Sequence, residues 1–312
     1  MANDINENNT TLSPQAARLL ANETKTVAQW DAITPRWLVN LLPWQPVESA
    51  VFRVNRVKDS SSSTALDNDV ACSPLGENPV PDSFVDYDQN PREYLLNAVT
   101  TVLEVRTRVS DLYSSPHDVI REQLRLTIEK VKERQEYELL NHHDYGLLNQ
   151  AEPSQRIKSK DGRPTPDALD ELIATVWKQP SFFLAHPKTI AAIGREFTRR
   201  GVPPVIIPLF GSQFLSWRGL PIIPTDKIAI DKNGKSKVLL IRAGQDKQGV
   251  VGLFKPGIPG EVTPSLSVRF AGIDQRAIAS YLVSLYCAAA VLTTDAIGLL
   301  EDVDTTYYHD YK

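Results

Sequence analysis

The chain has only two cysteines in 312 residues, Cys72 and Cys287, far apart in sequence. That excludes a disulfide framework and any Cys-x-x-Cys metal or redox pair, and it fits a reducing compartment. Basic clusters are missing as well. No Lys/Arg block of five or more occurs and the formal charge is -4, so sequence-independent binding to nucleic acid is not expected. Long apolar runs are scarce. The uncharged stretch "AIASYLVSLYCAAAVLTT" (277–294) just reaches membrane-spanning length. It carries Ser280, Ser284, Thr293 and Thr294, and it places Tyr281 and Tyr286 mid-run instead of at the interfaces a membrane would choose. A buried strand or core helix is expected there. Residues 1–12 are polar and acidic, which predicts no secretory leader and leaves the Asn-x-Thr triplets at Asn8, Asn9 and Asn22 unglycosylated.

Motifs that carry chemistry are also lacking. "NGKS" needs a glycine five positions before Gly234 to cradle phosphate, and Ala229 stands there. The glycines at 244, 249 and 252 do not bridge a strand and a helix, which disfavours dinucleotide binding. The histidines, at 117, 142, 143, 186 and 309, include no pair at the i, i+4 spacing a helical zinc site favours. His142 and His143 complement a helix C-terminus, and His186, before Pro187, caps or packs. There is no Gly-x-Ser-x-Gly elbow and neither cysteine has a plausible base beside it, so nucleophilic catalysis has no support. Glu133 and Glu136 read as solvated charge on a polar helix face. No catalytic, cofactor-binding or metal-ligating residue emerges.

What is present is a core. Apolar residues make up 42% and charged ones 23%, a soluble globular composition, and a chain of this length buries roughly three quarters of its unfolded surface. Ser13 and Pro14 open a short helix. An arm follows in which Pro35, Pro43 and Pro46 break any long helix and Trp30, Trp37 and Trp44 need cover, on a neighbouring subunit or on the chain's own core. "VFRVNRV" alternates as a strand, and after it a polar Ser/Asp/Asn/Pro segment runs for more than thirty residues. "AVTTVLEVRTRVSDLY" alternates again. Ser115-Pro116 then starts a long helix with Ile120, Leu124, Ile128, Val131 and Leu139 as a narrow apolar stripe, ending near Gly146. A helix from Thr165-Pro166 sets Leu169, Leu172, Ile173, Val176 and Trp177 on its apolar side. "SFFLAHP" reads as a buried strand, Pro187 opens a helix that closes at Gly201, and Asn233-Gly234 between alternating runs predicts a hairpin.

This order of elements resembles the shell-forming fold of tailed-phage major capsid proteins. The whole chain resembles an encapsulin of the second family, in the branch without an inserted nucleotide-binding domain. The resemblance is carried by "DLYSSPHDVIREQLRLTIEKVKERQEYELLN" (111–141), "PSFFLAHPKTIAAIGREFTRRG" (180–201), "GLPIIPTDKI" (219–228) and "VRFAGIDQRAIASYLVSLYCAAAVLTTDAIGLLEDV" (268–303). It implies an α+β fold: an N-terminal arm (1–47), an extended loop region (48–95), a peripheral domain with a spine helix (96–162), an axial α/β domain (163–259), and further peripheral strands with a tail (260–312). It favours a strand over 277–292. By position it makes Leu209, Phe210, Gly211, Ser212, Gln213 and Phe214 the pore-loop candidates, and Trp30, Trp37 and Trp44 the inter-subunit arm candidates. The implied function is a non-enzymatic subunit that self-assembles into an icosahedral shell in the bacterial cytoplasm. Its cargo enzyme would be a cysteine desulfurase, with a role in sulfur metabolism. The subunit itself would take no cofactor, nucleic acid or membrane. The alternatives are a phage capsid subunit packaging DNA and a metabolic enzyme with an unrecognised site.

Overall fold

The computed structural model describes residues 15, 33–55, 87, 90–105, 119–275 and 278–308. Trp30, Cys72, the Ser13-Pro14 helix start, most of the polar segment, the Ser115-Pro116 cap with His117, and the tail from His309 lie outside them.

In chain order, the arm forms α1 (Trp37–Leu41) and β1 (Trp44–Pro46), and β2 (Val51–Val54) and β3 (Arg92–Leu95) flank the polar segment. Next come β4 (Asn97–Val105), the long helix α2 (Val119–Asn141), α3 (Leu147–Gln150), β5 (Arg156–Lys158) and α4 (Pro166–Thr175). The α/β unit continues with β6 (Phe182–Ala185), α5 (Pro187–Arg199), β7 (Val205–Leu209), β8 (Ser212–Trp217), β9 (Leu220–Pro224) and β10 (Lys235–Ile241). The chain closes with β11 (Val250–Phe254), β12 (Glu261–Thr263), β13 (Leu266–Ile273), β14 (Ala279–Val291) and β15 (Ile297–Asp304). A seven-stranded sheet runs β5-β15-β10-β6-β9-β8-β7, and a six-stranded one runs β1-β11-β14-β13-β12 with β4 also on β14. Among the described residues β2 pairs with β3 alone.

The uncharged run is β14. Over Ala279 to Leu285 it bonds to β13 on one edge and β4 on the other, and over Cys287 to Val291 to β11. Its backbone is therefore satisfied inside protein. Among the described residues no helix is long and apolar enough to cross a membrane.

Alternation explains how the seven-stranded sheet is covered on both faces. Phe183, Ile222, Val238 and Leu240 meet Leu169 and Leu172 of α4 and Ile193 and Phe197 of α5. Phe182, Leu184, Ile223, Leu239 and Ile241 point the other way, into a core shared with Leu139 of α2, Ala288 to Val291 of β14, and Leu38 and Leu42 of the arm. The apolar stripe on α2 packs on the six-stranded sheet, where Val131 joins Leu266, Val283 and Leu285. Both short helices begin as their sequences dictate. Thr165 Oγ1 accepts from Ala168 N ahead of Pro166, and His186 Nδ1 accepts from Lys188 N ahead of Pro187. Burial holds the His186 imidazole below its ordinary pKa, which favours the neutral ring an acceptor needs.

β5 and β15 lie in the seven-stranded sheet, and β11 lies in the six-stranded one. Two expectations from the sequence need correction. Asn233-Gly234 is a turn, with Asp231 Oδ1 accepting from the Asn233 and Lys235 amides, but no strand precedes it, so there is no hairpin. α4 ends at Thr175, and Trp177 is 69% exposed instead of joining the core.

Candidate assembly site at the arm, the long helix and the hairpin tip

Helix α1 lacks a side-chain cap of its own, because the residue before it, Arg36, carries donors but no acceptor. The long helix supplies the missing acceptors. Glu129, Glu133 and Glu136 are spaced by four and three, which aligns them on one face. Glu136 accepts from Leu38 N at 3.0 Å. Glu133 accepts from Thr34 N at 2.9 Å and Thr34 Oγ1 at 2.7 Å, and Arg36 reaches Glu129 at 2.6 Å and Glu133 at 3.4 Å. From the turn after β9, Lys227 joins Glu133 at 2.8 Å and Asp226 at 2.6 Å. The arm, the long helix and the seven-stranded sheet thus meet at one charged seam.

Glu136 is the buried end of the seam, while Arg36, Glu129, Glu133 and Lys227 are half-buried. Glu136 is 1% exposed, and burial pushes its carboxyl up to about 7, against the opposing pull of the Leu38 amide and Lys227. For Glu129 burial acts in the same direction and is the largest single effect, but the hydrogen bonds and charges of Arg36 and Lys132 together outweigh it and hold the group below the usual carboxylate range. Lys227 is raised, because its bonds to Asp226 and Glu133 exceed the effect of burial. The reading of Glu133 and Glu136 as solvated charge is therefore overturned. The partners that cover them lie about a hundred residues away in the arm, where no local signal could announce them.

Apolar contacts complete the seat. Leu38 is fully buried, a contribution of about 2 kcal/mol. The Trp37 ring stacks on Phe210 at 5.8 Å and meets Phe214 edge-on at 5.2 Å. Trp44 donates its indole N–H to Val39 O at 2.8 Å and lies flat over Gly252, where an added Cβ would sit 2.6 Å from the ring. Of the two covers open to the arm tryptophans, Trp37 and Trp44 are seen on the chain's own core. Trp30 lies outside the described residues.

The six pore-loop candidates form the tip of the β7–β8 hairpin, with Leu209 opposite Ser212 and a two-residue turn at Phe210-Gly211 (φ 51° and 74°). Phe210, Gly211 and Gln213 are exposed, Leu209 and Ser212 half-buried. Phe214 is 4% exposed and belongs to the core of its own chain. At the other end of the chain, Tyr307 and Tyr308 lie under the guanidinium groups of Arg163 and Arg195, which docks the start of the tail on its own subunit.

Nothing in this seam resembles a reaction centre. Among the described residues no group of three or more His, Cys, Asp or Glu side chains is placed to hold a metal. In an open groove of about 510 Å³ between α3, β5 and β10, Lys235 pairs with Asp302 and Lys237 with Glu301.

A long helix across one sheet, a second α/β sheet and an arm define a capsid-like, shell-forming subunit. The same fold occurs in the capsid of a native GTA particle (TM-score 0.59, 14% identity, 86% of this chain and 90% of that one). It occurs again in Mycobacterium phage Bobi (0.59, 12%, 94% and 99%). Much closer similarity is found to the holo-SrpI encapsulin complex of Synechococcus elongatus solved by cryo-EM, at TM-score 0.82 and 58% identity over 97% of this chain and 99% of that one. The chain is 61% identical over 297 residues to the type 2A encapsulin shell protein SrpI of that organism, with 95% of each covered. It is 56% identical over 301 residues to the type 2A encapsulin shell protein of Mycolicibacterium paratuberculosis, covering 96% and 97%. A family model described as type 2A encapsulin shell protein SrpI-like matches residues 53–307. The chain belongs to that family, whose named members are shell proteins.

Proposed function

We propose that copies of this chain close into an icosahedral shell in the bacterial cytoplasm, enclosing a cysteine desulfurase and serving sulfur metabolism. The observation that carries the assembly is β7. It is the edge of the seven-stranded sheet, yet Val205 and Ile206 are 60% and 58% exposed, and Phe210 in the turn that follows is 63% exposed. An apolar edge with free backbone groups is a liability in a lone molecule, and a second copy would cover it. The relative solved as a holo complex supports a loaded shell.

On this reading the arm and the extended loop also contact neighbouring subunits, while Leu38, Leu42, Trp37 and Trp44 stay on their own core, and Leu209 to Gln213 face an opening that admits small molecules. The shell chain itself binds no pyridoxal phosphate; that cofactor belongs to the cargo. Co-expression with a bacterial cysteine desulfurase, followed by nuclease treatment and sedimentation, tests the proposal. The desulfurase should sediment with the particles, shells made without it should have no such activity, and absorbance at 260 nm should reveal no packaged nucleic acid. Cargo that stays at the top of the gradient contradicts the desulfurase assignment, and particles filled with DNA favour a phage capsid instead.

A further inference from the structure

We propose that Glu136 is a proton-controlled clasp for the arm: with its carboxyl neutral, α1 stays seated on α2, and with it ionised the segment around Leu38 lifts and withdraws Trp37 from Phe210 and Phe214. The clasp deepens the shell reading by giving the hairpin tip a means of regulation.

The geometry carries it. Glu136 is enclosed, and the hydrogen bond it receives comes from a neutral backbone amide, Leu38 N. The groups facing it are already committed. From α2 come Glu133 and Glu129, from the arm comes Arg36, bonded to both of those, and from the turn after β9 come Asp226 and Lys227, bonded to each other and to Glu133. Among the described residues no ion pair reaches Glu136 itself. An ionised carboxylate here is buried without a cation of its own, which is costly. A neutral one keeps the Leu38 bond through its carbonyl oxygen.

Undocking returns Glu136 to water, where it titrates as an ordinary glutamate near about 4.3. The docked form holds the proton more tightly, with its carboxyl raised to about 7. Docking therefore strengthens as pH falls from above about 7 toward about 4.5 and weakens on the alkaline side. Below that window the Arg36–Glu129 bridge, whose carboxylate is held low, loses its contribution.

Hydrogen exchange of peptides covering 33–42 and 205–217, at pH 6.0 and 8.5 with intrinsic rates corrected, tests the clasp on purified full-length protein. Protection of both should be about tenfold greater at pH 6.0. In Glu136→Gln, which keeps the acceptor and removes the charge, protection should be high and equal at both values. Equal protection in the wild type, or a tenfold difference that persists in the variant, overturns the proposal. If the variant does not fold, the wild-type pair of measurements decides alone. The clasp lies within one chain, so it can be read whether or not particles form; absence of particles counts against the shell reading only.

Discussion

The Arg242 guanidinium meets the Asp295 carboxylate at 2.7 Å at the point where the chain passes twice between its two sheets. Arg242 follows β10 on the way to β11, and Asp295 lies between β14 and β15. The guanidinium is 1% exposed and also donates to Thr293 Oγ1 at 2.6 Å and Lys178 O at 3.4 Å. One ion pair, its guanidinium buried and its carboxylate half-buried, thus fastens both crossovers. Arg242 foremost, with Thr293 and Lys178, holds the Asp295 carboxyl well below the usual range.

Replacing Asp295 with alanine leaves that buried cation unpaired and should cost about 3–5 kcal/mol in urea denaturation. Because the native carboxyl titrates below an unfolded aspartate, the pair's contribution is present above about pH 3.9 and is lost only as pH falls through the depressed value. The gap between wild type and Asp295→Ala should accordingly be the same at pH 7 and pH 5. A gap that closes by pH 5 would contradict the assignment.

Gly252→Ala should displace Trp44. The new methyl would lie 2.6 Å from the indole, and no backbone shift in a paired strand relieves that cheaply. Overpacking of this kind costs about 1–3 kcal/mol. Thermal denaturation should show the loss, and the exposed Trp44 should shift the fluorescence to longer wavelength; an unchanged melting profile would mean the contact carries no weight.

Phe210 trades strain against stacking. A left-handed backbone costs a bulky residue about 1 kcal/mol, and a ring pair returns about 1 kcal/mol. Phe210→Asn, which creates the Asn-Gly turn that hairpins favour, should be near neutral in the wild type. In a Trp37→Ala background it should be stabilising by about 1 kcal/mol. A double-mutant cycle in urea measures the difference, and simple additivity would show that Trp37 does not hold the tip.

Legibility in the sequence followed the range of the interaction. Local periodicity revealed the stripe of α2, the capped starts of α4 and α5, and the uncharged run that became β14. The β7–β8 hairpin was not visible as such, because its turn is Phe210-Gly211 instead of Asn-Gly, while Asn233-Gly234 carried the hairpin signature without forming one. The final strand, β15, joins the seven-stranded sheet across a crossover that no spacing announces. Glu129, Glu133 and Glu136 looked solvated because α2 alone has a charged face. Only Thr34, Arg36 and Leu38, folded back from the arm, turn that face into an interior.

Cys287 should be inert. It is fully buried in β14, and burial pushes its thiol up to about 12, so almost no thiolate exists at neutral pH. Iodoacetamide at pH 8 should leave Cys287 unmodified in the native protein and alkylate it in guanidinium, with mass spectrometry locating the site. Rapid native labelling at Cys287 would show that β14 is less enclosed than its pairing on both edges implies.

Electron microscopy of the chain purified after expression by itself tests the central claim most directly. Hollow, closed particles of uniform diameter are the predicted result. A field without particles, together with sedimentation as a compact monomer across physiological concentrations, would contradict a subunit whose apolar edge at β7 is covered by its own copies.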